Sequence, residues 1–293
     1  MKRKNKIAQI IINIVLVAAC FLIIYPLLLV IGVSLTDEKT LLYSGYQVIP
    51  SNFSLEAYKY VFKNPTTIID AYKVTFAFSV IGTALSVLLM AMLAYPLTKK
   101  ELKGRNFVSF LLFFTMLFSG GLVPSYILIT RYLHLGDTIW VYILPSMISV
   151  WYTFMMRTFF NDLPKEIFES ALVDGAGEFR IFFRMVIPLS KPVIAAVALF
   201  IFLGKWNDWF TSLLYINDPK LVSLQYLLQK IMNDIKLLSE NSGNMSIQKD
   251  TSSIPTESVR MAMAIVVAGP ALLVFPFFQK YFVKGLTIGS VKG

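Results

Sequence analysis

Apolar residues gather in six stretches, at about 7–33, 71–96, 107–130, 138–157, 192–216 and 261–282, with polar residues concentrated between them. A helix crossing a bilayer of about 30 Å needs roughly 20 mostly apolar residues, and its backbone must satisfy its own hydrogen bonds. The pattern therefore predicts six membrane-spanning helices in an all-α membrane protein. Gly120, Gly121 and Pro124 should interrupt the third span, because glycine frees the backbone and proline removes a donor. Backbone groups released at such a break have to face protein or a watery cavity. The first stretch follows a basic Met1–Lys6, and Val17-Ala18-Ala19-Cys20 has the look of a lipoprotein cleavage box. Its apolar run continues to Val33, past the roughly 7–15 residues of a signal segment, so a retained span is expected.

Composition agrees with this picture. Hydrophobic residues make up 56% of the 293 and charged residues 15%, against roughly 45–50% and 25% in soluble domains. The formal charge of +10 would suit nucleic acid if it formed one basic face, but its location argues otherwise. With a cytoplasmic N-terminus, segments 1–6, 97–106, 157–191 and 280–293 lie inside and carry 16 of the 27 Lys and Arg residues. That asymmetry follows the positive-inside bias, so both termini are expected in the cytoplasm of a cell-membrane protein that does not bind nucleic acid. Residues 34–70 and 217–259 become the long external segments, the second with polar runs at Asn241–Asn244 and Thr251–Ser253 that suggest mobility. The chain reads as a single membrane domain over 1–293, in contact with membrane lipid.

The cytoplasmic segment 161–191 is ordered by its own sequence. Pro164 suits a first helical turn, Ile167, Phe168, Ala171 and Leu172 make an apolar stripe, and Gly175 is placed to end the helix. A second amphipathic stretch carries Phe179, Phe182, Phe183 and Val186 as far as Pro188. The residues alone leave two readings open for this hairpin: an element lying on the membrane surface, or a docking element for a cytosolic protein.

The run Glu169-Ser-Ala-Leu-Val-Asp-Gly-Ala176, followed by Ile187-Pro188-Leu189 and Pro192, resembles the coupling motif of permeases in binding-protein-dependent ABC importers. That motif begins Glu-Ala-Ala, holds a glycine four residues after the second alanine and ends in Leu-Pro; Ser170 and Ile187 depart from it here. The stretches Phe118–Tyr126 and Gly269–Gly293 are similar to the maltose-permease-like, six-span sugar branch, and closest to its importers of complex or uronate-containing oligosaccharides. The resemblance implies that the hairpin over 161–191 couples to an ATPase through Glu169, Ala171, Asp174, Gly175 and Ala176. It also implies a second permease subunit, two ATP-binding subunits holding ATP and Mg, an extracytoplasmic solute-binding protein and an oligosaccharide substrate. Glu169 on residue chemistry alone is equally a solvated helix charge.

The fifth span contains Lys205, Trp206, Asn207, Asp208 and Trp209, and ionisable groups at membrane depth point to function. Lys205 and Asp208, three apart, are spaced to pair on one helix face. Aromatic faces beside amide and carboxylate groups suit sugar rings, and these five residues with Tyr126 are the expected substrate path; the competing assignment is an aromatic belt at the outer interface. His134 and Asp137 invite an acid–base reading but lack the partners of a triad or metal centre. No Gly-x-x-x-x-Gly-Lys-[Ser/Thr] occurs, so the chain is expected to be no enzyme, to hold no cofactor and to leave ATP to a partner. An ion-coupled transporter is the alternative; its usual internal repeat is not evident.

Overall fold

The apolar runs fold as helices, and the described residues contain no strand, only an isolated antiparallel bridge between Thr36 and Phe53. The computed structural model describes residues 2–241 and 256–289. The polar run Thr251–Ser253, most of Asn241–Asn244 and the basic residue Lys292 lie outside them. The chain divides into two compact units, residues 1–66 with 228–270 and residues 67–227 with 271–293.

The first unit opens with α1 (Lys2–Ser34), whose portion Ala8–Ser34 is long and apolar enough to cross a membrane. Near its end Gly32 lies directly beneath the backbone of Gln47 and Val48, where any side chain would collide with their carbonyl oxygens. Helix α2 (Glu38–Ser44) is capped by Asp37, which accepts the Thr40 amide at 3.3 Å, and α3 (Glu56–Val61) follows. The Glu38 carboxylate accepts from the Thr256 hydroxyl, the Glu257 amide, and the amide and hydroxyl of Ser258, all at 2.7–3.0 Å. It thereby caps a helix more than 200 residues away. Partial burial works to raise the Glu38 pKa, but these donors prevail and hold it below the usual carboxylate value.

In the second unit α4 (Pro65–Ala94) forms a buried axis: Thr75, Phe78, Ser79, Gly82, Ser86 and Met90 all turn inward. Small and polar residues on this face let neighbouring helices approach closely. A 3₁₀ turn at Pro96–Thr98 ends it. The third span runs as α5 (Arg105–Leu117) and α6 (Leu122–Ile127), the latter continued by a π-helical turn over Leu128–Tyr132. The two halves meet at 111°, and the break falls on the predicted glycines, with Gly121 at φ +88° and Pro124 seated in the first turn of α6.

Two departures from the sequence pattern matter. Residues 138–157 do not form one helix: a 3₁₀ turn covers Ile139–Tyr142, turns follow, and α7 (Val150–Asn161) has only 12 residues. Pro145 lacks a donor, and the Tyr142 carbonyl that a helix would use is instead bonded by the Lys205 ammonium at 3.0 Å. The fifth span is also broken. After α8 (Lys165–Val173), α9 (Glu178–Ile181) and α10 (Ile187–Leu189), joined by a π-helical Phe182–Val186, comes α11 (Lys191–Trp206) at 79°. It stops at Trp206, and after three intervening residues α12 (Phe210–Tyr215) begins. Among the described residues three helices are long and apolar enough to cross a membrane, or up to five if each bent pair counts as one span. Finally α13 (Leu224–Asn241) and α14 (Thr256–Gly289) complete the described chain.

Candidate functional site

The hairpin is built as its residues dictate. Helix α8 ends with Asp174 as its cap and Gly175 at φ +79°, a left-handed conformation that costs any other residue strain. The Ala176 amide donates to the Ala171 carbonyl at 2.9 Å and the Gly175 amide to Leu172 at 3.0 Å, the paired bonds of a Schellman turn. Glu169, Asp174 and Gly175 stand exposed, while Ala171 and Ala176 pack against a core that includes Phe160, Ile181, Phe182 and Val186. The five motif residues thus lie on one short turn, with its polar residues outward and its alanines anchored inward.

Beneath the hairpin lies a cluster that no sequence spacing announced. Glu178, the first residue of α9, accepts from the Tyr95 hydroxyl through Oε2, and from Lys99 Nζ through Oε1 at 3.2 Å. Tyr95 is buried against Phe182, their ring centroids 5.5 Å apart, and Lys99 Nζ lies 5.1 Å from the Tyr95 ring centroid. Partial burial pushes the Glu178 carboxyl up, yet the hydroxyl and the ammonium outweigh it and hold its pKa below the usual value.

The fifth-span residues separate into two groups. Lys205 is 6% and Trp206 2% exposed. The Lys205 ammonium donates to the Tyr142 carbonyl at 3.0 Å and to Ser146 Oγ at 2.8 Å, and its stem fills the notch left by Gly82. It forms no ion pair with Asp208, contrary to the spacing argument, because the helix ends between them. Asp208 Oδ1 instead accepts the Thr211 amide at 3.0 Å and starts α12, and its carbonyl accepts from Ser223 Oγ. Trp206 packs against Phe202 and Tyr72. Asn207 and Trp209 are exposed, although the Asn207 amide is turned back to the Leu203 carbonyl at 2.8 Å. Tyr126 is exposed and stacked on Tyr215 at 5.6 Å, a partner the sequence did not single out.

His134 and Asp137 adopt left-handed backbone, φ 49° and 53°. The Asp137 carboxylate accepts from the amides of Asn217 and Asp218 and from the Asn217 side chain, bonds that lower its pKa. It locks a turn to the end of α12.

Comparison with known proteins converges on transport. Residues 1–288 match the family described as the binding-protein-dependent transport system inner membrane component. Protein LplC of Bacillus subtilis is 41% identical over 92% of this chain and 90% of its own length. The polygalacturonan/rhamnogalacturonan transport system permease protein YtcP of the same organism is 37% identical over 99% of this chain and 100% of its own. A crystal structure of a bacterial ABC transporter that imports the acidic polysaccharide alginate superposes with a TM-score of 0.79 at 25% identity, covering 96% of this chain and 98% of that one. With a mostly helical architecture that has no strand among the described residues, and a family match over nearly its whole length, the chain belongs to the inner-membrane permeases of binding-protein-dependent ABC transport systems, a family of transport components rather than enzymes.

Proposed function

We propose that this chain is one of two permease subunits of an ATP-driven importer for an acidic oligosaccharide, spanning the cell membrane six times with both termini cytoplasmic. The observation that carries the reading is the turn at 169–176. Its Gly175 Schellman geometry, exposed Glu169 and inward alanines, with Leu172 and Val173 also exposed, form a compact tip of mixed polarity on an apolar footing, suited to a groove on a cytosolic ATPase. The whole chain acts as one permease domain with 161–191 as its coupling loop. It holds no cofactor, and ATP and Mg belong to two partner ATPase subunits. The external segments 34–70 and 217–259 face an extracytoplasmic solute-binding protein.

The acidic substrate class is supported by the polygalacturonan/rhamnogalacturonan and alginate systems to which the chain is similar. Asn207, Asp208 and Trp209 of the fifth span, with Tyr126 of the third, are the contacts that the path would offer to sugar, being at least partly exposed. Trp206 and Lys205 shape that path from behind.

The test is uptake by the reconstituted importer. Gly175→Val places a β-branched residue at φ +79°, costing about 1–3 kcal/mol locally. The membrane helices should insert as before, while uptake of trigalacturonate per assembled permease falls about tenfold or more, within the range of typical inter-site coupling energies. Undiminished uptake in a well-expressed variant would remove the turn from the coupling role. Uptake of a neutral arabinotriose but not of trigalacturonate or trimannuronate by the native complex would remove the acidic substrate.

A further inference from the structure

We infer that Tyr95, Lys99 and Glu178 form a latch that carries movement of the cytoplasmic hairpin onto the end of α4. The inference rests on the coupling reading given above for the 169–176 turn. Its own basis is the way the hairpin is attached to the body of the second unit.

Most of that attachment is apolar. Phe168, Ala171 and Ala176 lean on Phe160, Phe182 and their neighbours, and contacts of this kind are non-directional and tolerate sliding. The attachment is also incomplete, for two clefts undercut it. One, of about 480 Å³, runs between Phe168 and Leu172 of α8 and the end of α4; the other, of about 440 Å³, is walled by Met92, Leu102 and Phe179. Tyr95, Lys99 and Glu178 line both, together with Glu101, so they stand in the partition between the two clefts.

This partition is held directionally. One carboxylate takes a hydroxyl on one oxygen and an ammonium on the other, and the ammonium stays near the tyrosine ring. Tyr95 follows Ala94, the last residue of α4, and Glu178 lies three residues beyond Gly175. A displacement at the turn therefore reaches the carboxylate almost at once, and cannot proceed without either breaking two charge-assisted bonds or drawing α4 along.

Were it only a surface ion pair, Glu178 and Lys99 would contribute little, since exposed pairs are worth about 0–1 kcal/mol. The Lys99 and Glu178 side chains are 30% and 52% exposed, but Tyr95 adds what a surface pair lacks: its ring is buried and its hydroxyl donates to the carboxylate. The three are positioning residues, acting through the hairpin and α4 and not on substrate.

The experiment uses the complete complex with its ATPase subunits and needs no transported substrate. On a Cys20→Ser background, spin labels at Ser170→Cys on the hairpin and Lys103→Cys beyond α4 report the distance between the two elements. With the latch intact, that distance should be the same in the nucleotide-free and ATP-bound complexes. In Tyr95→Phe and Glu178→Gln a new distance population should appear with ATP. An unshifted distance in both single variants overturns the latch. Dissociation of the ATPase subunits from Tyr95→Phe also overturns it, by assigning these residues to docking. The mobility of the Ser170 label tests the underlying reading separately. If it does not fall when the ATPase subunits bind, the coupling reading fails first and the latch with it.

Discussion

Two of the interrupted spans of the second unit, the third and the fifth, break for different reasons. Between α5 and α6 the chain turns at Ser119-Gly120-Gly121, and Gly121 takes φ +88°, a conformation chosen by the local backbone. Between α11 and α12 the break falls on Asn207-Asp208-Trp209, with neither glycine nor proline at those positions. There the helix is ended by distant groups. Ser223 Oγ bonds the Asp208 carbonyl at 2.8 Å, Lys205 is drawn into the Gly82 notch towards Tyr142, and Asp208 caps the helix that follows. A break written into the backbone can be moved only by changing its own residues. A break imposed by packing can be moved from another helix.

The largest effect on this contrast is expected from Gly82→Ala, some 120 residues from the break. Its new Cβ would lie 2.8 Å from Lys205 Cε and 2.9 Å from Cδ, so the buried stem has to shift. Overpacking of this kind costs about 1–3 kcal/mol. The purified protein in detergent should melt at a lower temperature, and labels flanking 207–209 should show an altered break. Adding Lys205→Ala should relieve the clash, leaving the double variant less destabilised than the sum of the single ones. Strict additivity in the melts would show that the notch and the lysine are independent.

Gly121→Ala probes the local break. Beyond its chain neighbours nothing lies within 4 Å of the added Cβ, so the cost is conformational only, about 1–3 kcal/mol for an L-residue in this extended positive-φ region that glycine almost alone adopts. Its effect should stay local: labels at 118–122 should respond and those at 207–209 should not. A response at both would mean that the two breaks move as one.

The smallest effect is expected from Asp208→Ala, which removes the side-chain acceptor for the Thr211 amide and costs about 0.5–2 kcal/mol as a lost cap. Asp208→Asn keeps an acceptor oxygen and should recover most of that loss. Hydrogen exchange at the Thr211 amide measures both. Equal protection in the alanine variant and the native chain would show that the cap contributes nothing to the break.

The sequence by itself determined the elements whose causes are local. Membrane composition and apolar run length gave the helical class. Gly175 marked the end of α8, because few residues other than glycine enter the left-handed region there without strain. Gly120, Gly121 and Pro124 marked the interruption of the third span. Tertiary structure alone decided the rest. Residues 138–157 carry the apolar composition of a span, yet Lys205, 63 residues from Tyr142, takes the carbonyl that would have continued the helix. Tyr95 and Glu178 meet across 83 residues, and Glu38 caps a helix starting at Thr256. Side-chain periodicity reports which face of a helix is apolar, but not which distant polar group will reach it. Those pairings depend on where the helices pack against one another, and there a single notch at Gly82 decides where a buried ammonium can sit.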